Sequence, residues 1–104
     1  MKFRGTMSVG LLILWCASAH ATTECTGNIV RLWTGDSGSV YGALDNGLTW
    51  VTTASDPNTK NILASAISAF IAGRSVTVRV TAAISCDSSG GTRSDVVGMW
   101  LNAS

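Results

Sequence analysis

The sequence predicts a small, mainly β domain with one helix, in the order β-β-β-α-β-β, closed by one disulfide. Two observations carry this. Cys25 and Cys86 bracket almost everything that looks folded. Between them the hydrophobic pattern alternates with period two, except over Pro57–Ala72, where it takes helical spacing.

Residues 1–21 are read as a secretory signal peptide, cut after Ala21. Lys2 and Arg4 make a positive start, Val9 to Trp15 a short apolar run, and Ala19-His20-Ala21 a small-x-small cleavage pattern. The apolar run is too short to span a bilayer as a helix. The mature chain, 22–104, is a single domain. It carries five cations (Arg31, Lys60, Arg74, Arg79, Arg93) against six acids (Glu24, Asp36, Asp45, Asp56, Asp87, Asp95), a net charge of about −1. Nothing in that balance recruits nucleic acid or an anionic membrane. With the leader removed no histidine remains, so no metal or cofactor site is expected and no catalytic residue is assigned. Two cysteines in an exported chain admit one pairing, Cys25 with Cys86. Closing a loop of about 60 residues stabilises the fold by roughly 4 kcal/mol on the chain-entropy view.

The first strand is expected at Gly27–Thr34, with Val30 and Leu32 on one side and Ile29, Arg31 and Trp33 on the other. Gly35-Asp36-Ser37-Gly38 is a turn. Ser39–Leu44 is the second strand, and Gly42 inside it suggests a bulge or a tight bend. Asp45-Asn46-Gly47 signals a hairpin into a third strand, Leu48–Thr53. Asp56 and Pro57 then open the helix as cap and first residue. Ile62, Leu63, Ala66, Ile67, Phe70 and Ile71 form a wide apolar face; Asn61, Ala64, Ser65, Ser68 and Ala72 form a small, uncharged face opposite. Gly73 ends the helix. Ser75–Thr81 alternates with Val76, Val78 and Val80 inward, and Ala82 to Cys86 extends or bulges it. Asp87–Ser94 is a polar, glycine-rich loop, the most mobile segment expected, and Asp95–Leu101 is the last strand.

This order is that of a five-stranded OB-fold barrel with its helix between strands three and four. With the leader and one disulfide, the chain resembles the Shiga-type toxin B subunits, among the bacterial enterotoxins with five binding subunits. The likeness runs through Cys25-Thr26-Gly27-Asn28-Ile29-Val30, Ile62-Leu63-Ala64-Ser65-Ala66, Gly73, Ser75–Thr81, Cys86, Gly90-Gly91 and the final strand. It implies a secreted or periplasmic homopentamer binding host glycolipid or glycoprotein glycans, with an enzymatic A subunit as a further partner. It also implies that Asn61, Ala64, Ser65, Ser68 and Ala72 face a central pore. Carried over by position, it assigns ligand contacts to Asp36, Trp50, Thr52, Gly90 and Gly91; Arg93 in the same loop is added as a ligand contact. The family's tryptophan just before the helix is absent, and its acidic cluster is reduced to Asp36, so a different glycan is expected. Each candidate has a plainer role: Asp36 as a turn former, Trp50 as core, Tyr41 as packing. The alternative function on the same fold is a monomeric periplasmic or secreted protein that binds a protein partner, in envelope maintenance or as an inhibitor.

Overall fold

The computed structural model describes residues 22–103, so the leader read at 1–21 lies outside the described residues. The chain is mainly β with one helix: β1 (Thr23–Gly35), β2 (Ser39–Leu44), β3 (Thr49–Thr52), α1 (Thr59–Ala72), β4 (Ser75–Val80), β5 (Thr92–Arg93) and β6 (Val96–Leu101). The strands form one mixed sheet in the order β5-β3-β2-β1-β4-β6. Its two ends are consecutive in the chain, with only Ser94 and Asp95 between β5 and β6. The sheet therefore curls into a half-barrel, and α1 lies against β1, β4 and β6.

The core is the inner face of this curl. Val76, Val78 and Val80 are all fully buried, as strict alternation demands. Cys25, Leu44, Leu48, Trp50 and Val96 join them, with Ile62, Ala66 and Ala69 from the helix. The Cys25–Cys86 disulfide is present, with a Cα–Cα separation of 5.4 Å. It ties β1 to the segment after β4. Among the described residues no helix is long and apolar enough to cross a membrane.

Four expectations change. Six strands form instead of five, because part of the glycine-rich loop is drawn to the edge of β3. Thr92 and Thr49 share a hydroxyl hydrogen bond of 3.0 Å, and Thr92–Arg93 pairs in parallel with Thr49–Trp50. Asp87 caps the 3-10 turn at Ser88–Gly90 by accepting from the Ser89 N–H at 2.9 Å. Ala82 to Cys86 does not continue β4, which ends at Val80.

The bulge lies in β1, between Ile29 and Arg31, and not at Gly42. It flips the phase of β1, so Ile29 is buried while Arg31 and Trp33 face outward and Val30 is left exposed. Gly42 instead makes room for an indole. A Cβ there would fall 2.7 Å from Trp50 Cε2 and closer still to its ring edge.

The helix is shorter and rotated. Asp56 Oδ1 accepts from the Asn58 N–H at 2.8 Å, which forms a turn ahead of the first helical residue, Thr59. The buried stripe is Thr59, Ile62, Ala66 and Ala69. Ala66 and Ala69 let the helix sit close to the sheet, and a sheet this narrow covers only one stripe. Ile67, Phe70 and Ile71, expected in the core, are exposed, Ile71 by 79 %. Gly73 ends the helix in the left-handed conformation at φ 67°.

Candidate functional site

A cleft on the outer sheet surface lies at the β1–β2 end. After its bulge, β1 aims Arg31 and Trp33 outward. The hairpin about Gly35–Gly38 sets Trp33 directly opposite Tyr41, and Tyr41 in turn opposite Val51 on β3. The three side chains make a row across three strands. Arg31, Leu32, Asp36 and Ser39 complete a cleft of about 570 Å3, a size suited to a small ligand.

Two local features shape it. The Trp33 indole lies over Gly35, where a Cβ would come within 2.5 Å of the ring. The ring therefore lies along its own strand and stays half exposed, at 50 %. Asp36 rides on a tight turn in which Ser37 takes φ 60° and Gly38 φ 80°. Positive φ is costly for serine, and such strain often marks a functional turn. The turn is closed by the Ser39 N–H donating to the Asp36 carbonyl.

The chemistry of this surface is mixed. An aromatic face and a half-buried phenol sit beside an exposed carboxylate, an exposed guanidinium and a hydroxyl. Indole faces stack on the apolar side of a pyranose, while the carboxylate accepts and the guanidinium donates to hydroxyls. Among the described residues no group of three His, Cys, Asp or Glu side chains is placed to hold a metal.

Of the residues chosen from the sequence, only Asp36 lies in this cleft. Trp50 has no exposed surface and presents no face to a ligand. Thr52 is also buried, and neither its Oγ1 nor Trp50 Nε1 has a hydrogen-bond partner among the described residues. Both point inward because β3 alternates from Leu48, with Leu48, Trp50 and Thr52 on the core side. Gly90 and Gly91 are exposed in the turn before β5. Arg93 is half-buried and spent on Asp95, donating from Nε and Nη2 at 3.0 Å each. That fork holds the Asp95 carboxyl below the usual carboxylate range and raises the Arg93 guanidinium.

On the helix, Asn61, Ala64, Ser68 and Ala72 are exposed, and Ser68 donates back to the Ala64 carbonyl at 2.9 Å. Ser65 is half-buried and, with Asn61, borders a groove against Val97–Met99 of β6.

Arg31, Trp33, Ser39, Tyr41 and Val51 were not chosen from the sequence. A signal existed. A hairpin closed around Gly35–Gly38 pairs Gly35 with Ser39 and therefore Trp33 with Tyr41. Across comparisons with known proteins, the chain matches no family model, no curated protein and no solved structure.

Proposed function

We propose that this protein is an exported glycan-binding protein that acts as a ring of copies. The observation that carries the binding reading is the Trp33–Tyr41 pair, open to solvent and bordered by Asp36 and Arg31. A polar, hydroxyl-rich ligand with one apolar face fits that combination better than an anion, a metal or a purely apolar molecule.

On this reading the fold is an OB-type barrel whose last strand is broken at Ser94–Asp95. Support comes from the pairing: β5 runs parallel to β3, while β6, two residues on, runs antiparallel to β4. The outer face of strands two and three is where OB folds take oligosaccharides, and the cleft draws Tyr41 and Val51 from those strands. Export is supported by the disulfide. Assembly is supported by the helix flank of Ile67, Phe70 and Ile71, which is uncharged and uncovered in the single copy. The likeness to Shiga-type B subunits rests on the order of elements and the position of the disulfide.

Binding is tested on a glycan array with the wild type and Trp33→Ala. The expected result is a discrete set of bound glycans, from which the variant loses those held by the Trp33–Tyr41 cleft. Assembly is tested by native mass measurement, where a mass near five protomers is expected and a strict monomer contradicts the ring.

A further inference from the structure

A second aromatic surface lies away from this cleft and shares no residue with it. Trp100 stands on the outer face of β6, 58 % exposed. Its Nε1–H donates to Glu24 Oε2 at 3.1 Å. The same oxygen accepts from Arg79 Nε at 2.9 Å and lies 2.8 Å from Arg79 Nη2 in an ion pair. One carboxylate oxygen thus fixes an indole from β6 and a guanidinium from β4. Trp100 and Arg79 together hold the Glu24 carboxyl below the usual carboxylate range.

Between the indole and the guanidinium the sheet carries no side chain. Arg79 pairs in register with Gly98, and a Cβ at Gly98 would meet nothing within 4 Å. The result is a shallow depression of about 240 Å3 floored by Gly98 and walled by Arg79 and Trp100. One row along, Thr26 and Thr77 share a hydroxyl hydrogen bond of 2.7 Å, and Asn102 donates to Thr77 at 3.1 Å.

We infer that this depression is a second saccharide site, taking one neutral hexopyranose stacked on Trp100. Three features support that occupant. The indole is held in place before a ligand arrives, so little ordering entropy is lost on binding. Glu24 Oε1 and Arg79 Nη1 take no partner among the described residues, which leaves one acceptor and one donor beside the ring. Glu24 and Arg79 neutralise each other, so the site carries no net charge and favours a neutral sugar over an acidic one. The inference deepens the glycan-binding reading and rests on it for the ligand class. A purely structural triad would pin β1, β4 and β6 together but has no use for the gap at Gly98.

The test follows indole N–H signals by NMR in the oxidised, exported protein. It is titrated with the methyl glycosides of glucose, galactose and mannose, and with sialic acid as the acidic comparator. The expected result is a saturable shift of the Trp100 signal with at least one neutral sugar and none with sialic acid. That shift persists in Trp33→Ala and disappears in Gly98→Leu, whose Cβ meets nothing within 4 Å and whose longer side chain occupies the depression. A Trp100 signal that stays put with every sugar, or moves equally in Gly98→Leu, overturns the inference. If the Trp33 signal alone responds, the first cleft stands and the second site falls. If neither responds, both fall.

Discussion

Replacing Gly42 with alanine sets two physical effects of opposite sign against each other. Gly42 does not take positive φ, so alanine fits the backbone. In an open strand the change would stabilise the fold by about 0.4–1 kcal/mol, through lost freedom of the unfolded chain. Here the new methyl lands on the Trp50 indole, 2.7 Å from Cε2. Trp50 has no exposed surface into which to move. Overpacking of this kind costs about 1–3 kcal/mol. The net expectation is a loss of roughly 1–2 kcal/mol, which lowers Tm by about 5–15 °C in a domain of this size. Thermal and urea unfolding of Gly42→Ala measures it. Adding Trp50→Phe should return part of the loss, with a coupling of about 1 kcal/mol or more in the double-mutant cycle. A Gly42→Ala protein that melts at or above the wild type, or a cycle that is strictly additive, refutes the reasoning.

Three further outcomes are expected. Replacing both Cys25 and Cys86 with alanine removes a staple spanning 61 residues; on the chain-entropy model this costs about 4 kcal/mol, most of the stability of so small a domain, so urea titration should find little folded protein. Thr52→Val removes a buried hydroxyl with no partner among the described residues; urea unfolding should show a gain of about 1 kcal/mol. Glu24 and Asp95 have carboxyls lowered in the folded state, Glu24 by Trp100 and then Arg79, Asp95 by Arg93. Their contribution is therefore complete above the unfolded carboxylate range, about pH 4, and is lost as pH falls through the lowered values. An acid series of urea midpoints should fall there, and fall less in Asp95→Asn.

Period-two alternation and the turn residues make much of the secondary structure legible in the sequence. Ser39–Leu44 appears with the expected bounds, and Val76, Val78 and Val80 face inward as the alternation requires. Asp45-Asn46-Gly47 makes the hairpin, with Gly47 at φ 97°. The site was harder to read for a definite reason. Trp33, Trp50 and Trp100 look alike in the sequence, and their fates depend on what lies across the sheet. Trp50 faces Gly42 and is swallowed, Trp33 faces Tyr41 and stays open, and Trp100 lies two register positions from the Arg79–Gly98 gap, on the same face. A one-residue bulge after Ile29 decides that Arg31 and Trp33 point outward, and no local residue preference announces it. The helix misled for another reason. Its apolar arc is wider than one sheet can cover, so periodicity alone does not tell Ile62 from Ile71.

The central claim is that the Trp33–Tyr41 cleft holds a sugar, and affinity for an array-identified glycan in wild type and Trp33→Ala tests it most directly. Trp33 keeps half its surface exposed, roughly 100 Å2 of indole. Covering that area is worth about 2–3 kcal/mol, so Trp33→Ala should weaken binding by about thirty- to a hundred-and-fiftyfold while its melting curve stays near the wild type. A folded Trp33→Ala protein that binds the same glycan with undiminished affinity contradicts the claim.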